Sequence, residues 1–174
     1  MRPVFILCIN MNKQLNNYAF IDSQNLNLGI KELGWELDFR RFRVYLKENF
    51  AVCRAYIFIG FLPKNQNLYN SLYQAGYHLI FKPIIRDKDG KIKGNIDAEL
   101  VLQAMIDFTR YNRAVIVSGD GDFYCLIRHL YKKDKLSRLI VPNKFRYSKL
   151  LKRALPYVRD IVFMNDKNKI LSCK

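Results

Sequence analysis

Short apolar runs alternate with longer amphipathic stretches along this chain. YAFID (18–22) reads as a buried strand, and a helical spacing of apolar positions follows over 24–33. DFRRFRVYLKENF (38–50) predicts a helix capped by Asp38, with Phe42, Leu46 and Phe50 about one turn apart. VCRAYIFIG is the next strand. KNQNLYNSLYQAG predicts a helix that shares Leu68, Leu72 and Ala75 on one face and stops at Gly76, and YHLIFKP a third strand ended by Pro83. IIRDKDGKIK has a hairpin signal in Asp89-Gly90. It does not fit a calcium loop, because Ile85 and Ile96 stand where that loop needs acids. Leu100, Ala104 and Phe108 space a helix over 96–111. The strand RAVIVS, a helix from near Asp122, the strand RLIVP, the helix YSKLLKRALP and the strand DIVFM complete the series.

Strands alternating with helices from end to end predict an α/β fold, with a mostly parallel central sheet and helices on both faces. At 174 residues, half of them hydrophobic and without linkers or repeats, the chain is expected to form one domain over 17–165, with an extension at 1–16 and a tail at 166–174. PVFILCI (3–9) is short for a signal core and no small-residue cleavage site follows. Cys8, Cys53, Cys125 and Cys173 lie far apart, with no zinc or disulfide spacing, which predicts a reduced, cytoplasmic setting. No run reaches the roughly 18 apolar residues of a membrane span.

Net charge changes the picture more than composition does. Thirty Lys and Arg against 15 Asp and Glu leave +15, so a polyanion is the expected partner. Against that excess, VIVSGDGDF (115–123) ends a buried strand on two acids one glycine apart. Asp22 likewise ends the first strand, and Asp97 opens the long helix. Ligands of doubly wound sheets gather beyond the carboxyl ends of the strands, so Asp22, Asp97, Asp120 and Asp122 are expected to meet. Carboxylates about 4 Å apart repel by roughly 4 kcal/mol at an effective dielectric near 20, and a hard cation, Mg²⁺ or Mn²⁺, relieves that repulsion. Blander assignments compete: Asp122 as an N-cap, Gly119 and Gly121 as tight-turn residues, Asp22 with Asn25 as a turn and cap pair. Asp107 is too far along its helix to join, Glu99 faces another way, and His78 and His129 fall outside the constellation.

YAFIDSQNL, KGNIDAELVLQAM and AVIVSGDGDFYCLI together resemble the NYN domain family of PIN-like, LabA-type ribonucleases, over about residues 17–165. The resemblance implies a Rossmann-like PIN fold and metal-dependent cleavage of RNA at an acidic pocket. Its matching positions are Asp22 and Asn25, Asp97, and Ser118, Asp120 and Asp122, with Asn25 and Ser118 orienting ligands or the scissile phosphate. Two positions depart from the pattern: Ser23 stands where Gly is frequent, and Gln103 where many members carry a second acid on the helix. A binding module of the same fold without catalysis is the alternative, and Gln103 is its best argument. A haloacid dehalogenase is excluded because Gln24 stands two residues after Asp22, and a receiver because YHLIFKP lacks an Asp.

Residues 124–159 hold Arg128, Lys132, Lys133, Lys135, Arg138, Lys144, Arg146, Lys149, Lys152, Arg153 and Arg159 against Asp134 alone. Arg128, Lys132, Lys144, Arg146, Lys149, Lys152 and Arg153 are the RNA-binding candidates, with Tyr131, Phe145 and Tyr147 available to stack on unpaired bases.

Overall fold

The computed structural model describes residues 15–82, 85–86, 92–93, 96–155 and 160–173. At its centre β1 (Asn17–Asp22) is buried along its whole length, which is what a continuous apolar run flanked by parallel strands requires. β2 (Val52–Gly60) and β3 (Tyr77–Lys82) extend the sheet to one side. β6 (Ala114–Val117), β7 (Leu136–Val141) and β8 (Ile161–Phe163) extend it to the other. The order is β3-β2-β1-β6-β7-β8 and every pair is parallel. The direction of winding therefore reverses between β1 and β6. A two-residue-per-strand antiparallel hairpin, β4 (Ile85–Arg86) with β5 (Ile92–Lys93), stands apart as expected, and its Asp89-Gly90 turn lies outside the described residues.

Alternation along the strands divides the core in two. Tyr18, Phe20, Tyr56, Phe58 and Ile116 face α4 (Ile96–Ile106), α5 (Tyr124–Lys132) and α6 (Lys149–Ala154), through Leu100, Ala104, Leu126, Leu130 and Leu151. Ala19, Ile21, Ile57 and Val117 face α1 (Ser23–Lys31), α2 (Phe39–Phe50), α3 (Gln66–Gln74) and α7 (Asn168–Leu171), through Leu26, Ile30, Phe42, Leu46, Leu72 and Leu171. Asp22 has the parity of Tyr18 and Phe20, so its side chain points to the α4 side. Burying a side chain such as Phe20 or Phe42 stabilises by about 1.5–3 kcal/mol, and both are fully covered.

Several expected boundaries shift. The third helix opens with a 3-10 turn, Pro63–Asn65, and turns Tyr69 inward beside Leu72, leaving Leu68 exposed. Tyr69 is held there because its hydroxyl accepts from Leu62 N (2.8 Å) and donates to Gly60 O (3.1 Å). Gly76 follows with φ +88°, a left-handed backbone that suits the residue chosen as its stop. α4 ends at Ile106, short of Phe108, where i to i+3 bonds such as Arg110 N to Asp107 O close a tighter turn around a buried Asp107. Residues 166–173 are packed against α2: Asp38 N donates to Leu171 O (2.8 Å) and Leu171 is fully buried.

Candidate active site

β1 and β6 bring two of the acidic motifs side by side at the point where the winding reverses, with Ile21 opposite Val117. Asp22 is buried there. One carboxylate oxygen accepts from Asn25 N (3.1 Å), capping α1, and the other from the Ser118 hydroxyl (3.1 Å), which is itself fully buried. The turn-and-cap assignment of Asp22 with Asn25 is thus realised, and it leaves the carboxylate facing the acids across the sheet. Burial pushes the Asp22 pKa up, the bonds from Asn25 and Ser118 pull it down, the Asp120 charge adds to the rise, and the net direction is upward.

The loop after β6 is held from both sides. Gly119 N donates to Asn25 Oδ1 (2.7 Å), Asp120 N to Ser118 Oγ (3.1 Å), and Ser148 N, just ahead of α6, to Gly119 O (2.9 Å). Asp120, not Asp122, supplies the cap: its carboxylate accepts from Asp122 N (3.0 Å) and opens a 3-10 turn, Gly121–Phe123. Gly119 and Gly121 are not positive-φ turn residues. They are small because another segment crosses them: a Cβ at Gly119 would come 3.1 Å from Tyr147 Cβ, and one at Gly121 would fall on the Ser148 side chain. Asn25→Ala should leave the Gly119 N–H without its acceptor and cost about 1–3 kcal/mol, measured by urea unfolding. Asn25 therefore fixes the acid loop, a role compatible with the orienting one expected of it.

Asp97 completes the group from the N-terminal turn of α4. Burial raises its pKa first, then the charges of Asp120, Asp22 and Asp122, while Lys82 lowers it, and the result is about 6. The four acids expected to meet are thus within electrostatic reach of one another. Lys82, at the carboxyl end of β3, was not singled out by the sequence; its position after YHLIF, at the same sheet edge, is the signal that finds it. With a folded value of about 6 above the ordinary 3.8, the native state holds a proton that the unfolded chain releases. Asp97 therefore favours folding at low pH and loses that contribution as pH rises through about 6. His78, on the exposed side of β3, titrates with the opposite sign, its pKa lowered by partial desolvation and by Arg54 and Arg43, so the difference between wild type and Asp97→Asn isolates the effect. Without divalent ions, Asp97→Asn should gain melting temperature relative to wild type between about pH 4 and 7, checked by thermal scans at each pH.

The departures and bystanders also find places. Gln103 turns away from the pocket and donates to Asp107 Oδ2 (2.8 Å), beside the Tyr56 hydroxyl (2.8 Å) and Arg110 (3.0 Å). Burial pushes Asp107 up but these donors outweigh it and hold its pKa below the ordinary value. An acid at 103 would face that carboxylate, so the amide is explained locally and says nothing about catalysis. Ser23 is buried at the start of α1. His78 packs on Tyr56 and His129 on Phe108, away from the acids.

The basic candidates divide. Lys144 and Arg146 lie in the loop after β7, and Lys149, Lys152 and Arg153 on α6, all exposed and leading from the carboxyl edge beside the acid loop. Arg146 reaches Glu32 at 3.4 Å. Phe145, between the first two, is 76% exposed, with Lys144 Nζ 5.1 Å from its ring. Tyr147 carries Lys152 at 5.0 Å. Arg128 stacks on Tyr124 in α5, while Lys132 ends that helix, toward the opposite edge, with Lys133, Lys135 and Arg138. Arg159 lies outside the described residues.

Among the described residues, no three or more His, Cys, Asp and Glu side chains are placed to hold a metal ion by themselves. The donor set, in which Asp120 raises the cost of charge on Asp22 and all three other acids raise it on Asp97, still suits a hard cation that keeps waters and takes only one or two carboxylates alongside substrate phosphate. Cys53, Cys125 and Cys173 are free, and among the described residues no helix is long and apolar enough to cross a membrane.

No curated protein matches this sequence. Among solved structures the fold is similar to that of a protein of unknown function from Vibrio parahaemolyticus, at 23% identity and a TM-score of 0.70, covering 91% of this chain and 98% of that one. The model of the NYN domain matches residues 18–161, and that span takes in β1, the start of α4 and the loop after β6. The chain belongs to the NYN domain family, a family of PIN-like nucleases.

Proposed function

We propose that this protein is a ribonuclease that hydrolyses phosphodiester bonds of RNA with the help of Mg²⁺ or Mn²⁺, in the reducing interior of the cell. The observation that supports the reading is that Asp97 feels the charges of Asp120, Asp22 and Asp122 near the edge where the winding reverses, inside a chain of net charge +15. These carboxylates would hold the cation, which when bound lowers the pKa of a water and offsets charge on the phosphate. The chain's own part is positional. Ser118 and Asn25 N fix the orientation of Asp22, and Asn25 and Ser148 fix the loop that carries Asp120 and Asp122. Exposed Lys144, Arg146, Lys149, Lys152 and Arg153 supply phosphate contacts, and Phe145 offers a ring to an unpaired base. In the reaction a water oxygen bonds to phosphorus as the water gives up a proton, the ester P–O bond opposite it breaks, and a proton passes to the departing oxygen.

The test is incubation of the protein with labelled single-stranded RNA, structured RNA and DNA, each with Mg²⁺, Mn²⁺ or EDTA. RNA cleavage with either ion and none in EDTA is expected. The same ions should raise the melting temperature, since binding to the native state alone stabilises by about 2.7 kcal/mol at a hundredfold excess over Kd. The second reading, an RNA-binding module without catalysis, draws on the open donor set; RNA binding with no divalent-dependent cleavage or thermal shift would select it.

A further inference from the structure

α4 is apolar on more faces than the core needs. Leu100 and Ala104 account for the inner side, packed on Tyr56, Phe58 and Ile116. The outer side leaves Leu102 57% and Met105 40% exposed, with Ile106 beyond them. Single exposed apolar side chains need no explanation, but a contiguous stripe at helical spacing marks a surface that something covers. This stripe forms one wall of a groove of about 490 Å³, lined by Asp97, Ala98, Val101, Leu102, Met105 and Asp122.

The chemistry of the groove restricts its occupant. It begins at two of the four acids, so it runs directly out of the site described above. Their charge repels a phosphate from the groove itself, while the +15 of the whole chain disfavours a cationic partner and draws a polyanion. What satisfies both is an uncharged, flat, apolar group tethered to a polyanion. Met105 adds a polarizable thioether, which packs favourably against π-systems. We infer that the groove between α4 and the 121–123 turn seats one unpaired nucleobase of the bound strand, next to the phosphate that lies at the acids. The inference rests on the RNA-binding part of the proposed function and adds a base-binding subsite to it. Ala98, Val101, Leu102 and Met105 form its apolar side, which takes a base by its face.

The test uses the full chain with Mg²⁺, to offset the acids' charge, and RNA whose linkages resist hydrolysis, so that binding is read without cleavage. The ligands are a short single-stranded RNA and a series in which one base at a time is removed, leaving sugar and phosphate. In the wild type one abasic position should stand out, weakened by about fivefold or more, the lower end of what a stacked base contributes. L102Q/M105Q should bind the intact RNA more weakly by a similar factor, lose discrimination at that position, and keep the salt slope, because no phosphate contact is removed. Leu102→Phe, which keeps the wall apolar, should bind as tightly as wild type or more so. The inference is overturned if L102Q/M105Q retains wild-type affinity, or if it still distinguishes the abasic position. It is also overturned if the double variant turns a dimer into a monomer, by sedimentation, with RNA affinity unchanged; the stripe then joins two copies. A wild type that binds no RNA overturns this inference together with the proposed function. RNA that binds with the expected coupling but is never cut with Mg²⁺ or Mn²⁺ overturns only the catalytic reading.

Discussion

Asp120→Asn should reduce RNA cleavage by more than about a hundredfold while leaving the protein folded. Changes to groups that merely support a metal ligand already cost about 10–100-fold, so neutralising a ligand costs more. The fold survives because the carboxylate's local work is within the reach of an amide. Asp122 N donates to one Asp120 oxygen at 3.0 Å, and an asparagine carbonyl accepts that bond equally well. The charge does the opposite of stabilising the apoprotein: Asp120 is among the causes that raise both Asp22 and Asp97. In EDTA the variant should therefore melt at the wild-type temperature or above it, and the pKa of Asp97 should fall toward the ordinary value. Single-turnover cleavage of labelled RNA with Mg²⁺ or Mn²⁺, paired with thermal scans in EDTA, checks both halves. Cleavage at the wild-type rate would remove Asp120 from the site.

Reversing three charges on α6, with Lys149, Lys152 and Arg153 replaced by Glu, should separate holding RNA from cutting it. Each single-strand phosphate contact contributes about 0.7 to the slope of log K against log salt, so losing three flattens it by about two units. The helix tolerates the change. All three side chains are exposed, and a carboxylate at 149 meets the favourable end of the helix dipole, which offsets part of the cost of carboxylates at 152 and 153 in its last turn. Lys152 gives up its place over the Tyr147 ring, a surface interaction of about 0.5–1 kcal/mol. The divalent-dependent thermal shift should persist, and saturating RNA should recover much of the rate, since these residues contribute to ground-state binding. An unchanged salt slope would take the strand's path off this helix.

The fold was legible where burial on both sides forces a simple pattern. The apolar runs of β1, β2 and β6 read as interior strands, and the acidic motifs after β1 and β6 fell at one edge because parallel strands end together. What escaped was set by contacts between distant segments. Tyr69 displaced Leu68 from the core because its hydroxyl finds Gly60 O and Leu62 N, partners invisible to a periodicity. Gln103 looked like a missing acid until Asp107 appeared beside it. The glycines at 119 and 121 suggested a turn, whereas they clear space for Tyr147 and Ser148. The basic stretch was one block in sequence, but a helix that crosses the sheet carries Lys132 away from the edge where Lys144 and Lys149 lie.

The bond from Ser118 to Asp22 spans 96 residues of chain. On a ribosome adding about 5–20 residues per second, Asp22 emerges roughly 5–20 s before its partner. During that interval β1 has no β6 to lie against, and neither the 118–122 loop nor the basic residues of α6 exist yet. Parallel strands so far apart in sequence are also slow to close, because the loop between them must be ordered before any contact offsets it. A chain interrupted before residue 118 has Asp22 and Asp97 but neither acid of the loop after β6. Assembly of the acidic edge therefore waits on the synthesis of residues 118–122.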